Sequence, residues 1–150
     1  MGEPLPHAYR NLLDDEEIEA LLEITVRPER PPTVLLVDDD PQVLAEMREL
    51  IESADLQCLT ASNSAQALRR IGRDESAIDL LVTDLCMEGE GAGLELIRQL
   101  HARGTFLPII VLSGTTRARD VVEAMRLNVL DFLLKPVEPE EFLRTLKRCL

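Results

Sequence analysis

The sequence predicts an α/β fold built on a parallel sheet. Three observations lead there. Short apolar runs recur near 33–37, 56–60, 78–83, 107–112 and 131–134. Amphipathic segments sit between and after them, near 41–54, 64–72, 93–102, 116–126 and 139–149. The first run, Thr33-Val34-Leu35-Leu36-Val37, shows no polar alternation, as a strand covered on both faces should. Strand–helix alternation of this kind requires parallel strands joined by right-handed helical crossovers.

Residues 1–32 stand apart as an N-terminal extension. They carry eight acidic and three basic residues. One helical signal lies within them: Asp14 as cap, Glu17 three residues on, and Leu13 and Ile18 at the stapling positions. Ile18, Leu21 and Leu22 give that helix a narrow apolar stripe, too short to be stable unless it packs on something. Val26-Arg27-Pro28-Glu29-Arg30-Pro31-Pro32 then reads as a stiff, extended linker. Residues 33–150 form the main domain. After its first strand, Asp40 before Pro41 supplies an N-cap and a favoured first helical residue. Val43, Leu44, Met47, Leu50 and Ile51 follow at helical spacing. Glu138 before Pro139 repeats the capping device at the last helix. No repeat or low-complexity tract occurs.

Composition narrows the function. An apolar content of 45% supports a full core, and the net charge is −12. That charge opposes direct binding to nucleic acid, which needs clustered Lys and Arg. It equally opposes anchoring on an anionic membrane. No apolar run is long enough to span a bilayer and no secretory apolar region opens the chain, so a cytoplasmic protein is expected. Cys58, Cys86 and Cys149 are odd in number and lack metal-ligand spacing, as for reduced thiols that fill space. His7 and His101 read as surface residues.

Chemistry in an open parallel sheet collects at the carboxyl ends of the strands. The first run delivers Asp38, Asp39 and Asp40 there. The third delivers Asp84, the fourth Ser113-Gly114, and the fifth Lys135-Pro136. Adjacent carboxylates repel, so they stay solvated or hold a cation. Oxygen ligands from two strands suit Mg²⁺, which keeps some waters and meets a phosphoryl group. An Asp beside such a cation can act as a nucleophile and form an acyl phosphate. The Lys135 amine and the Ser113 hydroxyl are suitable donors to phosphoryl oxygens. Taken singly, each residue has a plainer reading. Asp40 is a helix cap, Asp38 a solvated loop acid, Lys135 a surface lysine and Ser113 the end of a strand. Their weight comes from their company.

These residues carry a resemblance. From Thr33 to Leu150 the chain resembles the receiver domain of bacterial two-component response regulators. The match rests on Asp38-Asp39, Asp84, Ser113-Gly114 and Phe132-Leu133-Leu134-Lys135-Pro136, in order and at strand ends. The resemblance implies a flavodoxin-like (CheY-like), doubly wound sheet of five parallel strands in order 2-1-3-4-5. It implies Asp84 as phosphoacceptor, with Mg²⁺ held by Asp38, Asp39, Asp84 and the backbone carbonyl of Cys86. It implies that Ser113 and Lys135 contact the phosphoryl group and that Phe132 changes rotamer with Ser113 on activation. The family is regulatory rather than enzymatic, although such a domain assists its own phosphorylation and dephosphorylation. The implied partners are a histidine kinase or phosphotransfer protein and a downstream output domain or effector. The N-terminal stripe adds a homodimer as one further arrangement. With no output domain after Leu150, both a stand-alone receiver and a piece of a longer regulator fit.

The chain departs from the family pattern at two places. After Asp84 that pattern reads Met-Pro-Gly, with a further Gly near the next helix. Here Met87-Glu88-Gly89-Glu90-Gly91-Ala92-Gly93 replaces the Pro with Glu88 and brings Gly93 one residue late. Before the fifth strand, Asn128-Val129 replaces Gly-Ala, and Asn tolerates a left-handed turn. Two other classes remain open. A degenerate receiver would bind partners without phosphorylation. A Mg²⁺-dependent aspartyl phosphatase of the haloacid dehalogenase type would use the same groups, but needs a second Asp where Cys86 stands.

Overall fold

The structure, a computed structural model, describes residues 30–85, 92–114 and 118–150. The expected helix and linker of the N-terminal extension fall almost wholly outside the described residues. Pro31–Leu150 form one compact unit.

Among the described residues, five strands alternate with five α-helices. They are β1 (Thr33–Val37), α1 (Pro41–Ser53), β2 (Gln57–Ala61), α2 (Ser64–Asp74), β3 (Leu80–Asp84), α3 (Ala92–Ala102), β4 (Ile109–Ser113), α4 (Ala118–Arg126), β5 (Asp131–Leu134) and α5 (Pro139–Cys149). All strand pairings are parallel and the order is β2-β1-β3-β4-β5, as expected. The apolar runs map onto this sheet by position. β1, β3 and β4 are interior strands, and every residue in them is buried. β2 and β5 are edges and carry mixed burial. A continuous apolar run therefore marks an interior strand and a diluted one marks an edge.

Alternation along the strands splits the core in two. Leu35, Val37, Leu81, Ile109 and Val111 face α2, α3 and α4, where Ala67, Ile71, Leu94, Ile97, Leu100 and Ala124 meet them. Val34, Leu36, Leu80, Val82, Ile110 and Leu112 face α1 and α5, meeting Ile51, Phe142 and Leu146.

Local signals set the boundaries. The Asp40 carboxylate accepts from the amides of Gln42 (2.9 Å) and Val43 (3.4 Å), which starts α1. Glu138 accepts from Glu140 (3.1 Å) and Glu141 (2.8 Å), which starts α5. Asn63 caps α2 through the Gln66 amide at 2.8 Å, a cap that the sequence reading passed over. Asn128 takes φ +59°, the left-handed turn expected of it. β3 begins at Leu80 rather than Ile78, because the Asp79 carboxylate accepts from the Thr33 amide (2.8 Å) beside the start of β1.

The two-layer core predicts the weight of single positions. Phe142 is fully buried between α5 and the sheet. Phe142→Ala is expected to lower unfolding free energy by about 3–5 kcal/mol in urea titrations. Phe106, 97% exposed, serves as control. Phe106→Ser is expected to shift stability by less than about 0.5 kcal/mol.

Candidate functional site

In the order 2-1-3-4-5 the chain leaves β1 for β2 on one side and returns to β3 on the other. The connections diverge between β1 and β3 and open a crevice at their carboxyl ends. Asp38 and Asp39 follow β1, and Asp84 closes β3, so the acidic residues stand on the two lips of that crevice. One oxygen from each of Asp38, Asp39 and Asp84 lies within 4.8 Å of the others. Asp38 and Asp84 are buried, while Asp39 is exposed. Asp40 is not part of the group and does its work as the cap of α1.

Two neighbours fix Asp38. Its backbone N–H donates to the Ala61 carbonyl (3.2 Å), and its Oδ1 accepts from the Asp40 N–H (2.9 Å). The remaining oxygen faces Lys135. The Lys135 ammonium donates to Asp38 Oδ2 at 2.7 Å and stands 3.4 Å from Asp84 Oδ2. β5 aims this side chain inward, since the Lys135 N–H donates to the Ser113 carbonyl (2.8 Å). Burial of the Lys135 amine favours its neutral form, but the bond to Asp38 and the charges of Asp84 and Asp38 outweigh that. The net result holds its pKa above the ordinary 10.5. The lysine is thus a fixed cation throughout the neutral range.

Asp84 is held through its backbone. The Thr83 hydroxyl donates to the Asp84 carbonyl (3.1 Å), and the next amide, Leu85 N–H, donates to Leu112 of β4 (3.0 Å). Ser113 is fully buried at the end of β4 and pairs in register with Leu134. Phe132 pairs with Val111, is half-buried, and packs on the α2–α3–α4 side of the core. By strand alternation Ser113 falls on that same side.

The structure thus brings Asp38, Asp39, Asp84 and Lys135 together. It sets Ser113 at the adjoining strand end and Phe132 on the same face. Cys86 and the Met87–Gly91 segment lie outside the described residues. Gly93 was noticed in the sequence only for arriving late, and its packing went unread. It is buried in the first turn of α3, and its N–H donates to the Leu85 carbonyl at 3.0 Å. Cys58 is a core residue whose thiol burial pushes up to about 11, so it stays protonated. Cys58 and Cys149 are both free thiols.

The donor set suits a hard divalent cation. Mg²⁺ takes octahedral oxygens that lie about 3–4 Å apart. Three carboxylates within 4.8 Å meet that with a small inward adjustment. The residues therefore fit the ion.

Comparisons with known proteins bear on the family and the fold. Residues 34–147 match the family model described as response regulator receiver domain. The two-component response regulator PprB of Pseudomonas aeruginosa is 37% identical over 77% of this chain, which spans 42% of that protein. The transcriptional regulatory protein FixJ of Azorhizobium caulinodans is 40% identical over 74% of this chain, which spans 51% of it. The chain thus spans about half the length of these relatives, or less. Among solved structures, a response regulator receiver protein from Pseudomonas putida superposes with a TM-score of 0.73 at 34% identity, covering 81% of this chain and 99% of that one.

Breaking the lysine–carboxylate contact is expected to destabilise. Lys135→Met should lower unfolding free energy by about 1–3 kcal/mol at pH 7, because it leaves Asp38 buried without its counter-charge. A lysine whose folded pKa is raised contributes fully below its unfolded value and loses the contribution as pH rises through the folded one. The gap between wild type and Lys135→Met in urea midpoints should therefore stay constant from neutral pH up to about 10 and shrink above it. Added Mg²⁺ should narrow the gap at pH 7.

Proposed function

This chain belongs to the response regulator receiver domains, and on that footing we propose that Asp84 is the residue that accepts the phosphoryl group. In this reading residues 33–150 are the receiver domain and residues 1–32 an extension of it. The observation that carries the assignment is the meeting of Asp38, Asp39, Asp84 and Lys135 at the β1/β3 crevice. Phosphorylation and magnesium are general features of the family.

The donor is a phosphorylated histidine of a kinase or phosphotransfer protein. An Asp84 oxygen attacks phosphorus in line as the P–N bond breaks. The bonding pair passes to the imidazole nitrogen, which is then protonated, and the product is an acyl phosphate. Asp38, Asp39, Asp84 and the Cys86 carbonyl are the proposed ligands of Mg²⁺, which when bound neutralises charge on the phosphoryl oxygens. The chain supplies the rest. β3 holds Asp84 at a fixed position. The Lys135 ammonium sits close enough to Asp84 to move from carboxylate to phosphoryl oxygen. The Ser113 hydroxyl donates to another oxygen.

The switch follows from the same face. Drawing the Ser113 hydroxyl toward the phosphoryl group vacates space beside β4, and Phe132, half-buried on that side, moves to fill it. The surface of α4, β5 and α5 then changes its preference among partners: an output domain, an effector, or a second copy of the chain. The phosphate shifts a pre-existing equilibrium by its differential affinity for the two states. In this reading the acidic chain makes no direct contact with nucleic acid. Its setting is the cytoplasm, where kinase and effector are met. Among the described residues no helix is long and apolar enough to cross a membrane.

Incubation with Mg²⁺ and acetyl phosphate, followed by intact-mass measurement, tests the assignment. Wild type is expected to gain one phosphoryl group and Asp84→Ala none. No gain with any donor would support a phosphorylation-independent interaction module instead. Sustained release of phosphate from esters, lost in Asp84→Asn, would support an aspartyl phosphatase. Ser113→Ala is expected to retain uptake on Asp84 while losing the phosphoryl-dependent change in the α4–β5–α5 surface, read as amide chemical shifts.

A further inference from the structure

We propose that Gly93 is a positioning residue for phosphoryl uptake: its missing side chain lets α3 seat directly against the backbone that carries Asp84. A Cβ built at Gly93 would lie 2.3 Å from the Asp84 carbonyl oxygen, 2.6 Å from Leu85 Cα and 2.7 Å from the Leu85 carbonyl oxygen. All three are backbone atoms, so no flexible side chain can swing aside. The Asp84–Leu85 backbone has little freedom to retreat. Leu85 N–H is bonded to Leu112 of β4, Leu85 carbonyl to Gly93 N–H, and Asp84 carbonyl to the Thr83 hydroxyl. The Leu85 side chain is itself fully buried in the core. A side chain at position 93 must therefore lever α3 outward or shift the peptide that holds Asp84 opposite Asp38, Asp39 and Lys135.

The other glycines among the described residues make no such steric demand. Gly72, Gly104 and Gly114 would have no neighbour within 4 Å of an added Cβ. The requirement at 93 also explains how the chain bears its departure in sequence. The glycine comes one residue late after Asp84, yet it is this residue that makes the close approach. Because in-line transfer needs the reacting oxygen placed to within a fraction of an ångström, a displacement of about 1 Å costs about 10²-fold in rate.

The inference rests on Asp84 being the phosphoacceptor, and the experiment separates the two. Phosphoryl uptake from acetyl phosphate is followed by intact mass in wild type, Gly93→Ala and Leu100→Ala, with the maximal rate and the half-saturating donor and Mg²⁺ concentrations measured separately. Leu100 is buried in the same helix, so its truncation controls for lost stability. Gly93→Ala is expected to lose about 10²-fold in maximal rate at saturating donor and Mg²⁺, while Leu100→Ala, still folded by circular dichroism, stays within about threefold of wild type. If wild type takes up no phosphoryl group, the assignment of Asp84 falls. If wild type is modified and folded Gly93→Ala keeps its maximal rate, or loses no more than Leu100→Ala, the role of Gly93 falls. Should Gly93→Ala fail to fold, Ala92→Gly, which adds no atom but loosens the backbone before the close approach, is expected to slow uptake several-fold. Unchanged uptake in that variant overturns the proposal.

Discussion

Three carboxylates share the carboxyl edge of the sheet with one ammonium, and the surrounding elements keep those four groups together. Two of the acids are buried, and buried like charges at such separations disfavour the folded state unless a cation stands among them. Lys135 supplies it at 2.7 Å from Asp38 and 3.4 Å from Asp84. The same position that relieves the repulsion places the amine where a phosphoryl group on Asp84 would present its oxygens. Stability and chemistry draw on one contact.

The sheet explains why that contact forms here. β1 and β3 are neighbours whose connections run apart, so their carboxyl ends open a crevice that side chains from both strands can share. Interior position keeps both strands buried along their whole length, and the carboxylates of Asp38 and Asp84 at their ends remain buried too. Lys135 comes from the far edge and crosses β4 to reach the same point. Its path is fixed by the backbone bond to Ser113, which ties the cation to the strand end that also carries the hydroxyl. Ser113 and Phe132 lie on one side of the sheet, so a pull on the first is felt by the packing of the second.

Much of this was legible in the sequence, for identifiable reasons. Unbroken apolar runs gave the strands, because strands buried on both faces tolerate no polar alternation. Asp40-Pro41 and Glu138-Pro139 gave two helix starts, because capping is local and needs only a carboxylate and the next few amides. Asp38, Asp39, Asp84 and Lys135 were legible because strand ends converge by topology, whatever their spacing in the chain. What the sequence hid depended on distance. The bond from Asp79 to the Thr33 amide joins residues far apart, and it shortened β3 relative to its apolar run. Gly93 drew notice only by its offset; the reason for a glycine there is a backbone from another element, which periodicity cannot register. The pairing of Lys135 chiefly with Asp38, rather than with Asp84, likewise depends on side-chain reach that no spacing rule supplies.

The ion pair joins residues 97 positions apart, and this has a bearing on how the molecule is assembled. A chain synthesised from its N-terminus completes β1, β2 and β3, and with them all three acids, well before β5 exists. The half-built sheet therefore carries its negative charges uncompensated until the closing strand docks. Contacts of long sequence separation are slow to form, so until β5 docks the counter-charge that Lys135 later supplies has to come from ions in solution.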